Sequence, residues 1–196
     1  MISALKRTSP APELVRKYRH VESDERPREI NKGLVSGLVG GLVGTIVMTA
    51  FQNGWSKASQ ALKRGNGQQQ QSSQGQGDSE DATMKAAGKL AEAFGRPLSH
   101  EQKKKFGPVV HYAFGTAQGA MYGAVTELAG IQGGLVSGVS FGAALFVVAD
   151  ELAVPAAGLS GKPSEFPLSS HLYGLASHLV YGVTTDIVRR GLRTAL

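Results

Sequence analysis

The segment GLVSGLVGGLVGTIVM, from Gly33 to Met48, decides the class of this fold. It is apolar, carries no charge, and repeats glycine every fourth residue at positions 33, 37 and 41. In the interior of a soluble helix, each glycine costs about 0.8–1 kcal/mol relative to alanine. In a lipid bilayer, small residues instead let two helices approach closely, and this packing drives their association. The segment therefore predicts a membrane-spanning helix.

Three further runs share the lack of charged residues. The four runs are 24, 21, 22 and 20 residues long and cover 33–56, 106–126, 128–149 and 166–185. About 20 mostly apolar residues cross a hydrocarbon core of ~30 Å. A soluble bundle with fully buried helices is the alternative, but a soluble helix needs a polar face, and none of the runs has a charged stripe. We therefore predict an all-α integral membrane protein with four helices, at about 33–54, 108–128, 133–153 and 168–188.

Polar segments separate these helices and define the predicted organisation of the chain. Residues 55–107 form an extramembrane loop, whose Gln-, Ser- and Gly-rich middle, 65–80, is predicted to be disordered. Within the same loop, 81–95 is predicted to be an amphipathic helix that lies on the membrane or caps the bundle. Its apolar face comprises Met84, Ala87, Leu90, Ala91 and Phe94. The remaining segments are a polar basic N-terminal tail, 1–32, membrane helices 2–4 within 108–188, and a basic C-terminal tail, 189–196.

Composition limits the function and the partners. The chain has no cysteine, which excludes disulfides, Cys-ligated metals and thiol nucleophiles. Its net charge of +6 resides in tails and loops, which suits anionic lipid headgroups, and no basic–aromatic motif predicts nucleic-acid binding. The predicted partners are therefore membrane lipids together with a second copy of the chain or another membrane protein. No cofactor is predicted.

The distribution of basic residues leaves the orientation nearly balanced. The tails hold eleven Lys and Arg, against ten on the other side. RRGLR directly follows helix 4 and Lys32 directly precedes helix 1, which favours cytoplasmic termini, whereas KKK at 103–105 favours the reverse. We predict a multi-pass membrane protein with both termini in the cytoplasm.

An internal repeat links the two halves of the chain. GLVSG occurs at 33–37 and again at 134–138, and FGTAQGAMYGAVTEL (114–128) aligns without gaps on YGLASHLVYGVTTDI (173–187). The halves therefore predict two helical hairpins in a parallel repeat. Glycines spaced four apart form a groove that another helix can occupy, within the bundle or across a dimer. The predicted packing glycines are Gly33, Gly37, Gly41, Gly134, Gly138 and Gly142.

Ionisable residues fall into two layers under this topology. Glu127 and Asp186 end helices 2 and 4 on the side of the termini. The opposite side holds the candidate proton site, in which His178 lies two helical turns deeper than His171. The members of that site are His111, Asp150, Glu151, His171 and His178.

The chemistry of the candidate proton site stays open at the level of sequence. Buried ionisable groups in a membrane are costly and are candidates for proton relay, and histidine with carboxylate could also hold a metal. Two histidines could also bind a haem. The alternative is that the groups bond to water or loop backbone at the headgroup level, with His178 bonded to Gln118 or Ser177. No HExxH, ExxH or P-loop motif is present, so no catalytic residue is predicted.

The C-terminal part of the chain resembles a known family. ASHLVYGVTTDIVRRGLR (176–193) resembles the last helix of the YagU-like family, small bacterial inner-membrane proteins of unknown function. The shared pattern is a polar residue and histidine, an apolar–aromatic stretch, an acid and a basic run. VADELAVPAAGLS (148–160) is similar to the family's third helix and following loop. The resemblance implies an integral inner-membrane protein and supplies no catalytic residue or cofactor.

Two functions follow as predictions. The first is a structural or accessory membrane protein that associates with itself or with a larger complex, because glycine-rich faces are present and catalytic motifs are not. The second is a proton or small-solute pathway through Asp150, Glu151, His171 and His178.

Overall fold

A computed structural model describes residues 12–65 and 80–196. The described part is helical and contains no strand, which confirms the all-α prediction. Most of the predicted disordered segment 65–80 and the first eleven residues of the predicted N-terminal tail lie outside the described residues. The helices are α1 (Pro12–Gly65), α2 (Ala82–Ala93), α3 (His100–Leu128), α4 (Leu135–Leu145), α5 (Val154–Ala156) and α6 (Leu168–Arg193), with a π-helical segment (Phe146–Ala153) joining α4 to α5 and a 3₁₀ turn at Pro163–Glu165.

Two helices are long and apolar enough to cross a membrane, by length and composition. They are Pro27–Leu62 within α1 and the continuous rod Leu135–Ala156, formed by α4, the π-helical segment and α5. The first is longer than the predicted 33–54, because the flanking Lys-, Glu- and Ala-containing sequence has good helix propensity and α1 continues at both ends.

The start of α3 is set by a capping box that the sequence analysis did not use. The Ser99 hydroxyl accepts a hydrogen bond from the Gln102 N–H, while the Gln102 side chain accepts one from the Ser99 N–H at 2.8 Å. This pair satisfies backbone donors that a helix otherwise leaves unpaired. It places the first residue of α3 at His100, eight residues before the predicted start of helix 2.

The predicted amphipathic helix forms as α2 and packs along the first turns of α3. Asp81 caps it by accepting a hydrogen bond from the Met84 N–H at 2.8 Å. Glu80 accepts one from Lys103 of α3 at 3.0 Å, and this bond lowers the pKa of the Glu80 carboxyl. Met84 and Ala87 are buried as expected. Leu90 and Phe94, which the periodicity placed on the same face, are exposed instead.

Backbone contact between glycines joins α1 to α3. A Cβ atom at Gly41 would lie 2.6 Å from the Gly115 carbonyl oxygen, and one at Gly37 would lie 2.9 Å from the Gly123 Cα. Since residue numbers rise along α1 as they fall along α3, the two helices are antiparallel. The structure thus places Gly33, Gly37 and Gly41 against a second glycine series on α3, formed by Gly115, Gly119 and Gly123.

A second glycine face joins α1 to α6. A Cβ atom at Gly40 would lie 2.6 Å from the Thr185 carbonyl oxygen, and one at Gly44 would lie 3.0 Å from the Tyr181 carbonyl oxygen. The adjacent glycines Gly40 and Gly41 therefore serve two different neighbours. Because α1 is antiparallel to both α3 and α6, these last two run in the same direction.

The glycines of α4 pack against α6. A Cβ atom at Gly138 would lie 3.0 Å from the Gly182 carbonyl oxygen, and Gly142 faces the backbone of His178. Gly134, predicted to pack in the same series, instead precedes α4 with a positive φ of 134°, and the space around its Cβ position is open. Its role is to turn the chain into α4 and to present its N–H to Asp186.

Candidate functional site

Two clusters of ionisable side chains lie at opposite ends of the helix bundle. We call the cluster near the chain termini the arginine layer, defined as Glu29, Glu127, Asp186, Arg189, Arg190 and Arg193. We call the opposite cluster the histidine layer, defined as His111, Asp150, Glu151, His171 and His178. The geometries of the two layers support different roles.

Asp186 is the centre of the arginine layer and is 1% exposed. Its Oδ1 accepts a hydrogen bond from the Tyr122 hydroxyl at 2.9 Å, and its Oδ2 accepts one from the Gly134 N–H at 2.9 Å. Arg190 Nε donates to the same Oδ2 at 2.8 Å. The carboxylate thus ties α3, the turn before α4 and its own helix together, a fully hydrogen-bonded state that a buried charge requires.

Arg189 is the other buried charge of this layer, at 2% exposed. Its guanidinium lies 3.4 Å from Asp186 Oδ1 and 3.5 Å from Glu127 Oε1, and it sits 5.6 Å above the centre of the Tyr122 ring. Two carboxylates and an aromatic face therefore surround the guanidinium. Its Nε atom has no hydrogen-bond partner among the described residues.

Arg193 extends the layer to α1. It donates to Glu127 Oε1 at 2.9 Å and pairs with Glu29, so α1, α3 and α6 meet at one side chain. The hydrogen bond to Glu127 raises the pKa of the Arg193 guanidinium. Three carboxylates face three arginines in the layer, so its net charge is zero. The balanced pairing and the bonds to backbone indicate a structural role.

The sequence analysis identified Glu127 and Asp186 as a layer but missed their arginine partners. The signal was present, because Arg189, Arg190 and Arg193 follow Asp186 at three, four and seven residues. On an α-helix these spacings place all four side chains on one face.

In the histidine layer, His178 and Asp150 form the deeper pair. His178 Nδ1 lies 2.9 Å from the Gly174 carbonyl oxygen and 3.6 Å from Asp150 Oδ2. The imidazole is buried, with the Phe146 ring centre 5.7 Å away. The expected bond of His178 to Ser177 does not form, because the Ser177 hydroxyl donates to the Tyr173 carbonyl.

His171 and Glu151 form the second pair of this layer, nearer the helix ends. His171 Nδ1 lies 2.7 Å from Glu151 Oε1, and Nε2 lies 3.1 Å from the Pro163 carbonyl oxygen. A carbonyl and an ionised carboxylate can only accept hydrogen bonds. Both ring nitrogens therefore donate, and His171 is an imidazolium paired with the Glu151 carboxylate.

His111, the fifth predicted member, lies beside these pairs without bonding to them. It is within electrostatic range of His178 and Asp150 from α3, and its ring meets the Tyr112 ring edge-on at 5.8 Å. The structure therefore brings the five predicted residues to one end of the bundle, four of them as two contacting pairs.

The π-helical segment Phe146–Ala153 carries both carboxylates of the layer. Segments of this kind are rare in helices and frequently occur at functional sites. Among the described residues, no group of three or more His, Asp or Glu side chains is arranged to hold a metal ion. Histidine exchanges protons near neutral pH, and a neighbouring carboxylate favours its protonated form.

Comparison with known proteins adds no further assignment. No protein-family model matches the chain, and neither a curated protein nor a solved structure matches it significantly. The resemblance to the YagU-like family stays a prediction, and the functional argument rests on the geometry of this chain.

Proposed function

We propose that this chain is an integral membrane protein with a structural or accessory role, associating with itself or with a larger membrane complex. One observation carries the proposal: much of the interior consists of glycines and small polar side chains, whereas the large aliphatic side chains face outward. Lipid is the solvent that makes such an arrangement stable. The proposed membrane is the bacterial inner membrane, with both termini in the cytoplasm, as the sequence predicts.

Glycines and small polar side chains make up much of the interior, beside a few large residues such as Tyr122, Phe146 and Tyr181. The buried polar and charged residues include Ser36, Thr45, Thr126, Ser177 and Thr185, each at most 2% exposed. Several return their hydroxyl hydrogen to their own helix, as Thr45 does to the Gly41 carbonyl at 2.7 Å. Helices of this composition can pack closely without large apolar side chains between them.

The exterior carries the side chains that soluble proteins bury. Within 27–62 and 80–196, no Leu, Ile or Val is buried, although these are among the residues most often found inside soluble folds. Val136 of α4 is 79% exposed and Ile46 of α1 is 49% exposed. An apolar surface of this extent marks contact with lipid or with another protein.

Equivalent contacts in the two halves support the proposed hairpin repeat. In the alignment of the halves, Gly37 corresponds to Gly138 and Gly123 to Gly182, and both pairs are in backbone contact. Thr45 opposite Gly115 likewise corresponds to Phe146 opposite Gly174. The two hairpins thus pack through equivalent pairs of residues, as expected for a parallel repeat.

Association with a partner would use the outer face of α4. The glycine faces are occupied within the chain, whereas α4 packs chiefly against α6 and leaves large apolar side chains outward. These are Leu135 and Val136 of α4 and Val147, Val148 and Leu152 of the π-helical segment that continues it, all at least 48% exposed.

Native mass spectrometry of the protein gently extracted in detergent tests the accessory role. We expect a discrete oligomer or a stoichiometric complex with another membrane protein. A second preparation with Val136→Ala and Val148→Ala should lose this association while keeping its helical content, because only the outer face of α4 is changed. A stable monomer without a co-purifying protein would contradict the proposal.

A second candidate function is a proton or small-solute pathway. The observation that favours it is the burial of His178 beside Asp150, with a second histidine–carboxylate pair nearer the helix ends. Ionisable groups at such positions in a membrane are costly and commonly functional. If the pathway exists, ion flux through reconstituted vesicles should fall in the His178→Ala variant.

A further inference from the structure

The histidine layer is almost entirely a property of the second half of the chain. When 33–37 is aligned on 134–138 and 114–128 on 173–187, and each alignment is extended along its helix, His178 stands where the first half has Gly119. Asp150 stands where it has Thr49. His171 and Glu151 likewise replace Tyr112 and Ala50. Helix packing does not require charged side chains at these positions, since the first half packs without them. The divergence therefore marks a site with a role beyond packing.

Hydrogen bonding distinguishes the two histidines of this site. His171 donates from both ring nitrogens and is fixed as an imidazolium by Glu151 and the Pro163 carbonyl. His178 Nδ1 must carry a hydrogen, because the Gly174 carbonyl at 2.9 Å can only accept. This leaves Nε2 as the ring nitrogen without a backbone acceptor. His178 therefore differs from His171, whose two ring nitrogens both face hydrogen-bond acceptors.

The charges of these four side chains indicate how many protons the site binds. The His171–Glu151 pair is neutral as an ion pair, and neutral His178 with ionised Asp150 carries one negative charge. An unbalanced charge within a membrane is strongly disfavoured. One added proton neutralises the pair, either on His178 Nε2 or on the Asp150 carboxyl, since coupled groups titrate together.

We propose that Asp150 and His178 form a site that binds one proton within the membrane, next to the fixed His171–Glu151 ion pair. This proposal rests on the proposed membrane location and on the hairpin repeat. The other ionisable groups that face the pair are His111 on α3 and Glu151 on the π-helical segment. On α6 itself, His171 lies two turns towards the helix start. From α1, Trp55 packs on Tyr173 beside this end of α6.

The site lies near the end of the bundle that carries α2. Asp150 is six residues from the end of the rod at Ala156, about 9 Å along a helix, and its side chain is 43% exposed. In the opposite direction, Phe141 stacks on Tyr122 with 4.2 Å between ring centres, and Gly142 is in contact with the His178 backbone. The packed aromatic pair therefore separates the site from the arginine layer.

Proton uptake by the protein in lipid nanodiscs tests the site. On acidification from about pH 8 to pH 5, where histidine titrates, the unchanged chain should bind about one proton more than the Asp150→Asn variant. In that variant a proton on His178 would leave a positive charge with no carboxylate to balance it. Glu165→Gln is the matched control, because it removes an exposed carboxylate outside the layer. It should leave uptake in this range unchanged. Equal uptake by the unchanged chain and the Asp150→Asn variant would overturn the proposal.

A second variant keeps the test decisive if Asp150→Asn does not fold. His178→Gln should move the midpoint of uptake by at least about one pH unit, because it leaves Asp150 as the sole acceptor, and an unchanged midpoint would overturn the proposal. A pH gradient across proteoliposomes measures conduction separately. Its decay tests the second candidate function, whereas proton uptake alone decides the binding site. Failure of membrane integration appears independently, as protein that does not incorporate into the nanodiscs.

Discussion

Replacing Gly119 with leucine is expected to prevent α1 from packing against α3 and to abolish the native bundle. A Cβ atom at this position would lie 2.5 Å from the Gly37 carbonyl oxygen and 2.6 Å from the Gly41 nitrogen. These neighbours are backbone atoms of α1, which cannot rotate away as a side chain would. Overpacking in side-chain cores costs about 1–3 kcal/mol, and a backbone-to-backbone contact should cost more. Thermal unfolding and gel filtration in detergent measure the effect.

Gly54→Ala is the matched control for this prediction. Gly54 is also in α1, but nothing lies within 4 Å of its Cβ position. Alanine there should preserve the bundle and increase helix stability by up to about 1 kcal/mol, the difference in helix propensity between the two residues. A Gly119→Leu protein that elutes and melts like the unchanged chain would show that the glycine contact does not hold the bundle together.

Asp186→Asn is expected to destabilise the folded chain by about 3–5 kcal/mol, the range observed when one partner of a buried ion pair is removed. The substitution keeps the shape of the side chain but removes the charge that faces Arg189, which is 2% exposed. It also places an amide N–H₂ among the donors of Tyr122, Gly134 and Arg190. Denaturation in mixed micelles gives the change in the free energy of unfolding.

A double-mutant cycle separates the ion pair from the other bonds of Asp186. The Asp186→Asn/Arg189→Gln protein should recover part of the loss, because no uncompensated buried charge remains. Arg190→Ala is the comparison variant and should cost less, because its side chain is 43% exposed and Asp186 Oδ2 keeps the hydrogen bond from the Gly134 N–H. A cost below about 1 kcal/mol for Asp186→Asn, with additive effects in the double variant, would remove the arginine layer as a stabilising feature.

The sequence predicted the helical class because four uncharged runs have a length and composition typical of bilayer spans. The sequence also predicted which ionisable residues lie at the same end of the bundle, because the order of the helices along the chain decides which helix ends share a side. Asp150, Glu151, His171 and His178 lie at one end of the structure for that reason. Their pairing could not be predicted, because the π-helical segment changes the rotation of the carboxylates about the helix.

The sequence analysis predicted only one of the two glycine series that form the contact between α1 and α3. Gly33, Gly37 and Gly41 indicated a groove, but spacing does not say which helix fills it. The partner glycines Gly115 and Gly119 have the same four-residue spacing and could have been identified from it. The adjacent pair Gly40 and Gly41 was a further signal, because residues next to each other on a helix face different neighbours.

The sequence could not predict which side of α2 packs against α3, for a different reason. A twelve-residue helix with alanines around much of its surface offers two apolar flanks of similar quality. The flank with Met84 and Ala87 is buried because Gly107 of α3 leaves room for Met84, and the Glu80–Lys103 bond fixes the entry to the helix. Leu90 and Phe94 consequently face outward.

Side-specific labelling of single cysteines tests the central claim, that the helices cross a membrane, most directly. The chain has no cysteine, so each introduced thiol is the only one present. Ala129→Cys lies in the exposed turn between α3 and α4, and Ser164→Cys lies in the exposed link before α6, at the opposite end of the bundle. In sealed vesicles, a membrane-impermeant maleimide added outside should label one of the two variants and leave the other unlabelled until detergent is added. Labelling of both variants from the same side would contradict the account.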